Sequence, residues 1–213
     1  MEEARPFGLE RLVFFTDAVF AIAITLLALD LRLPQLAEDV AQGTFNAALV
    51  GVGPKLFSYG LSFAIIGLFW LGHWRPFEHI RAPSETLVAI NLVLLALVAL
   101  IPFPTALLGE HGDQPGAVVL YAIIVSAAGL VGSVSWLYAE RAGLTTPGRS
   151  RHWVRLSTLR ALVAPLVLLG SLPLVLVHPY AAEAAWVLIF PLQGLVARAV
   201  QRVGVASAPA AAT

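Results

Sequence analysis

The chain contains no cysteine, which excludes disulfide staples, thiolate metal sites and cysteine nucleophiles. Charge is almost as scarce. Only 12% of the 213 residues are charged, and 13 acids balance 13 bases to a formal net charge of +0, so no excess positive charge points to a nucleic-acid partner. Low-complexity inserts and internal repeats are also missing. Against these shortages stands one excess: 59% of the residues are hydrophobic and mean hydropathy is +0.84. A chain of this make-up has lipid as its main solvent.

A hydrocarbon core about 30 Å thick is crossed by about 20 apolar residues at helical rise, and six segments meet that requirement. They run from about Leu12 to Leu31, Val52 to Trp74, Leu87 to Leu108, Ala117 to Ala139, Val154 to Val177 and Tyr180 to Ala199. The last is the weakest, because only Ala184 to Ala197 is free of charge, and Glu183 is expected at the interface. Pro102, Pro104, Pro165, Pro173 and Pro191 fall inside these spans, where kinks are expected. The expected fold is all-α: a polytopic membrane protein with a six-helix transmembrane domain over residues 1–204 and a disordered tail over 205–213. The opening MEEARPFGLER mixes acids and bases and precedes a span that carries a carboxylate, the pattern of a retained helix rather than a cleaved signal peptide.

In this scheme Arg5, Arg11, Arg75, Arg81, Arg141, Arg149, Arg151, Arg155, Arg160, Arg198 and Arg202 lie on one side, and Arg32 and Lys55 on the other. That imbalance places both termini in the cytoplasm of a multi-pass cell-membrane protein and requires an even number of crossings. Trp70, Trp74, Trp136, Tyr138 and Trp153 at the cytoplasmic ends, and Tyr59, Tyr121, Tyr180 and Trp186 at the outer ends, read as interfacial belts.

The first span, FTDAVFAIAITLLALD from Phe15 to Asp30, carries Asp17 about one turn inside its first end. An ionisable group at that depth is costly and marks a pathway or an internal scaffold. Projected at about 100° per residue from Ile22, Leu29 falls near about −20°, Leu26 near about +40° and Thr25 near about −60°. These four share a stripe. Thr16, near about +120°, and Asp17, near about −140°, face away from it. By itself the stripe reads as packing against lipid or a neighbouring helix before it reads as a gate.

Arg11-x-x-x-Phe15-Thr16-Asp17 followed by AVFAIAITLLALDL resembles the signature first helix of the transmembrane protein 175 family, the endolysosomal potassium channels and their prokaryotic relatives, whose pattern is R-x-x-x-F-S-D. The stretch SF-x5-FW-x2-H at Ser62, Phe63, Phe69, Trp70 and His73, and NLVLLALVALIPFPTALL from Asn91 to Leu108, agree with it. Thr16 departs from the family's serine, keeping the hydroxyl and adding a methyl. The signature occurs once, and because relatives with two copies per chain form dimers, the resemblance implies a homotetramer.

It further implies a potassium-permeable cation channel with modest potassium-over-sodium selectivity. The first helices of four subunits would line the pore, with Ile22, Leu26 and Leu29 as the hydrophobic constriction and Thr25 as the selectivity position. No TVGYG-like filter run occurs. Selection then falls to a narrow apolar ring, which strips water more cheaply from potassium than from sodium, aided by four Thr25 hydroxyls. As a straight α-helix, Ile22 to Leu29 spans about 10.5 Å, enough for a dry plug that gates by dewetting.

The expected partners are further copies of the chain, membrane lipids and K+ ions, with no nucleic acid and no cofactor beyond the permeant K+. Proton conduction on the same fold and a secondary transporter are the alternative readings. A secondary transporter would show inverted repeats and a midplane polar pocket, and an enzyme would need a catalytic set at midplane depth, where this chain carries Ile, Leu, Ala and Thr.

Within the motif, Arg11, Phe15, Thr16, Asp17, Trp70, His73 and Asn91 form the expected structural network. Asp17 is expected in a buried cluster with Thr16, Trp70, His73 and Asn91 rather than in the ion path. Arg11, on the stripe below Ile22, is expected to pair with a carboxylate. His73, Glu78 and His79 show no recurring ligand spacing, so no metal site is expected. Gln193 is expected to bond between helices.

Overall fold

Backbone N–H and C=O groups in hydrocarbon must be satisfied within their own segment or by a closed sheet, and this chain takes the helical solution. The computed structural model describes residues 7–31, 43, 45–77, 80, 84–145 and 151–206. Helix α1 (Phe7–Leu26) ends in a 3-10 turn (Leu27–Asp30), and α2 (Phe45–Gly51) leads into α3 (Gly53–Phe77). Then come α4 (Glu85–Leu100), α5 (Pro102–His111), α6 (Pro115–Arg141) and α7 (Arg151–Gly170). A second 3-10 turn (Leu172–Leu176), α8 (Pro179–Trp186) and α9 (Ile189–Ala206) complete the described chain.

These elements make six segments long and apolar enough to cross a membrane: Gly8–Asp30, Leu49–Trp74, Glu85–His111, Pro115–Arg141, His152–Leu176 and Pro179–Val203. They coincide with the six segments read from hydropathy and extend most of their ends by a few residues. Arg5, Arg32, Glu78, His79, Arg81 and Arg149 lie outside the described residues, as does the tail from 207 onward. Val205 and Ala206, assigned above to that tail, still belong to α9.

Local chemistry sets the helix ends. Ser84 caps α4 by accepting a bond from the Leu87 amide at 3.1 Å, and Glu85 follows in the first turn, where a carboxylate suits the helix dipole. Pro115 and Pro179 occupy first-turn positions whose N–H has no helical partner anyway. The internal prolines act as breaks. Pro102 separates α4 from α5, Pro173 lies in the 3-10 turn that ends the fifth span, and Pro191 follows the interruption between α8 and α9. Pro165 remains inside α7.

The core lies around α6. Half of its span is buried (50%), against 28% to 33% in the other five, which makes it the central post. It packs against α4, α5 and α7, α9 packs on α7, and α1 packs on α4 and α3. Tyr121 of α6 and Trp186 of α8 are both fully buried and stack with ring centroids 5.0 Å apart. This corrects their reading as interfacial belt residues. Their polar atoms find partners inside the bundle, Tyr121 with the Ser62 hydroxyl at 2.9 Å and Trp186 by donating to Ser171 Oγ at 2.8 Å, so neither ring needs the headgroup region. Trp136 is likewise buried, edge-on to Trp153.

Glu183 is also inside rather than at the interface, 6% exposed. Position 183 shares a helix face with the buried Ala182 and Trp186, which depth along the span could not reveal. Gln193 does bond between helices, donating to the Arg160 carbonyl at 2.9 Å.

At Gly129 the approach of α6 to α7 is too close for a side chain: a Cβ there would lie 2.6 Å from Pro165 Cγ and 3.0 Å from its Cδ. The proline ring cannot swing aside. Gly129→Ala should therefore destabilise the protein by about 1–3 kcal/mol, seen as a lowered thermal midpoint in detergent. Gly132→Ala, whose nearest neighbour is Leu94 Cδ1 at 3.9 Å, should be neutral or slightly stabilising.

Candidate functional site

Helix α1 is two-faced. Leu9, Leu12, Thr16, Phe20, Ala23 and Leu27, spaced by three and four residues, are all at most 8% exposed and seat the helix on α3 and α4. The opposite face carries Arg11, Phe14, Phe15, Ala18, Ile22, Thr25, Leu26 and Leu29, all exposed in the single chain. Ile22 is 58% exposed, Leu26 39% and Leu29 55%. The stripe drawn on the helical wheel thus lies on the face that the chain's own helices leave uncovered.

One detail departs from the wheel. Leu29 sits in the 3-10 turn, not the α-helix. At about 120° and 2.0 Å per residue, that turn brings Leu29 directly above Leu26 and stretches Ile22 to Leu29 to about 12 Å rather than 10.5 Å. Thr25 donates its hydroxyl proton to the Ile22 carbonyl at 2.8 Å. Its oxygen lone pairs therefore point away from the helix, the orientation a cation ligand needs.

The buried face is fixed by a hydrogen-bonded cluster. Asn91 of α4, fully buried, donates through Nδ2 to Thr16 Oγ1 at 2.8 Å. Its Oδ1 can only accept, so His73 Nε2 donates to it at 2.7 Å. Trp70 Nε1 donates to Asp17 Oδ1 at 2.8 Å, and the Phe20 ring packs on His73 with centroids 6.1 Å apart. Three helices are pinned by five side chains. Asp17 itself is half-buried and Trp70 is 37% exposed, so the Asp17 end of the cluster opens to the surface, unlike the wholly buried cluster expected. Phe15, 52% exposed, stands apart from it on the open face, a face on which Arg11 also lies.

Other polar pairs were not anticipated from the sequence. Lys55 and Glu110 form an ion pair at 2.9 Å, closing a small pocket beside the 3-10 turn that Asp30, Ser58 and Thr105 also line. Thr105 donates to Ser62 Oγ at 2.8 Å, and Ser62 meets Tyr121. The one available signal was hydroxyls recurring in apolar spans. Among the described residues no group of three or more His, Asp or Glu side chains is placed to hold a metal.

Comparison with known proteins bears on this architecture. The family model described as the endosomal/lysosomal potassium channel TMEM175 matches residues 11–102, the stretch that contains α1 from Arg11 onward, the cluster and the break at Pro102. A potassium channel of Chamaesiphon minutus is 37% identical over 150 residues, covering 68% of this chain and 72% of that one. One of Streptomyces collinus is 34% identical over 137 residues, 62% of this chain and 65% of that one. The endosomal/lysosomal proton channel TMEM175 of Mus musculus is 34% identical over 115 residues, of which this chain spans only 23% of the length. The crystal structure of a lysosomal potassium-selective channel TMEM175 homolog from Chamaesiphon minutus superposes with a TM-score of 0.77 at 29% identity, over 92% of this chain and 99% of that one. With a potassium channel 37% identical and covered over 72% of its length, and with the family model matching from Arg11 to Pro102, the chain belongs to the TMEM175 potassium channel family.

Proposed function

We propose that this protein is a potassium-permeable channel of the cell membrane, formed by four copies around α1 with both termini in the cytoplasm. The single observation that carries the reading is the uncovered face of α1. Ile22, Leu26 and Leu29 are large apolar groups that one chain leaves exposed while burying the opposite face almost completely. The potassium-channel names of the bacterial relatives support the cargo. The distribution of arginine supports the orientation.

In this reading four Ile22, Leu26 and Leu29 side chains stack into a dry constriction that conducts when wetted. An ion there loses water, and the outward lone pairs of four Thr25 hydroxyls replace part of its shell. No rigid carbonyl cage assists, so the preference for potassium is modest. Proton conduction is the second reading, favoured by the name of the vertebrate relatives. Liposome flux of the purified protein under potassium, sodium and proton gradients separates the two.

One pore-facing stripe per chain requires a closed ring of copies. Native mass measurement in mild detergent should find tetramers, and a conducting monomer would overturn the assembly. Within the ring, Ile22→Asn and Leu26→Ala should raise cation flux several-fold by wetting or widening the plug. Thr25→Ala should leave flux intact and lower the potassium-to-sodium permeability ratio. Ala23, on the buried face at 1% exposure, supplies the control position, whereas Ala18 shares the exposed face. Unchanged currents in bilayers for both Ile22→Asn and Leu26→Ala would remove α1 from the pore.

The cluster should act on assembly rather than on ion choice. Asn91→Leu strands the buried Thr16 hydroxyl and the His73 donor, at about 1–3 kcal/mol each. Asp17→Asn keeps an acceptor for Trp70 at a half-exposed site and should cost about 1 kcal/mol. Tetramer yield and thermal midpoint should fall more for Asn91→Leu. A changed permeability ratio in a normally assembled Asp17→Asn channel would instead put Asp17 in the ion path.

A further inference from the structure

Helix α9 ends in a stripe that neither the bundle nor the pore uses. Gln193 points at α7, where it bonds the Arg160 carbonyl. On a wheel centred on Gln193, Pro191, Leu195, Arg198 and Arg202 fall between about 140° and 200°, the opposite side of the helix. Leu195 is 59% exposed, and Pro191, Arg198 and Arg202 are exposed too. Among the described residues neither Arg198 nor Arg202 has a hydrogen bond or an ion pair. The stripe changes character along the axis: apolar through Leu195, then two guanidiniums one turn apart at the end of the span, Arg202 about 10.5 Å beyond Leu195.

We propose that this stripe is a binding site for an anionic phospholipid. The lipid phosphate bridges Arg198 and Arg202, and an acyl chain lies along Leu195 and Pro191. Guanidiniums present paired N–H donors that match phosphate oxygens, and their i, i+4 spacing sets the two forks about 6 Å apart along the axis. The order of the stripe, apolar then cationic, follows the order of a lipid, tail then phosphate. A second copy of the chain is the rival occupant, since Glu10 and Glu85 are exposed carboxylates. Two features favour lipid. α9 packs on α7, and α7 reaches α1 only through α3 or through α6 and α4, so at least two helices separate it from α1 and the proposed ring axis. The apolar half of the stripe also continues into hydrocarbon depth, where lipid tails are the solvent.

The site is tested on the full chain, delipidated in detergent and titrated with dioleoylphosphatidylglycerol or dioleoylphosphatidylcholine under native mass spectrometry. Wild type should retain the phosphatidylglycerol on the order of tenfold more strongly. Arg198→Gln with Arg202→Gln should abolish that preference, and Arg198→Lys with Arg202→Lys should keep part of it because charge remains. Arg141→Gln, at the exposed end of α6, should behave as wild type. Equal retention of both lipids by wild type overturns the proposal, as does an undiminished preference in the double Gln variant. An equal loss in Arg141→Gln would make the effect one of net charge. Loss of tetramer in the double Gln variant without lipid would hand the stripe to a second copy.

Discussion

Asn91 is the group on which the placement of α1 depends. Its carboxamide spends its donor on Thr16 and its acceptor on His73, so a single α4 side chain ties α1 and α3 together where water cannot compete. A buried amide with either half unmet would cost the desolvation of that half, which gives the three-helix junction one favoured register. From that register follow the burial of Phe20, Ala23 and Leu27 and the exposure of Ile22, Leu26 and Leu29, because the two sets lie on opposite faces of one helix. The open face is what remains of α1 after the cluster has chosen which side to bury.

Elsewhere the bundle obeys the same constraint with smaller groups. Serine and threonine hydroxyls return protons to carbonyls of their own helix, as Ser133 does to Gly129 and Ser171 to Leu168, each at 2.8 Å. Where a hydroxyl does reach another helix, it joins a compact set, Thr105 with Ser62 and Ser62 with Tyr121. Exceptions remain: among the described residues the Ser126, Ser135 and Ser157 hydroxyls, Trp136 Nε1, Glu140 Oε1 and Glu183 Oε1 are buried without a hydrogen-bond partner. Glu183 sits under Gly112, where an added Cβ would approach its Oε1 to 3.0 Å. Such close approach next to an unpaired polar atom makes the C-terminal end of α5 tightly specified.

The 3-10 ending of α1 changes the shape of the proposed constriction without changing its members. A straight α-helix staggers Leu29 from Leu26 by about 60°; the tighter turn eclipses them. Eclipsed leucines form a column on each subunit rather than a spiral. In the proposed tetramer four such columns would close a longer apolar passage than helical arithmetic implies, with the Thr25 hydroxyl beside its Ile22 end.

Six spans, their order and the amphipathic split of α1 were legible in the sequence, because hydropathy over about 20 residues and a 3.6-residue period depend only on local composition. The polar residues of the cluster were legible through their motif, as a set without a geometry. What the sequence could not determine was which way each group turned between helices. Tyr121, Trp186 and Glu183 sit at interfacial depth by count but point inward, since lateral direction is decided by which helix packs on which face. The same holds for Lys55 and Glu110, 55 residues apart, whose meeting is a property of the α3–α5 contact. Depth in the membrane is a one-dimensional quantity that a sequence carries; azimuth exists only once the helices have packed.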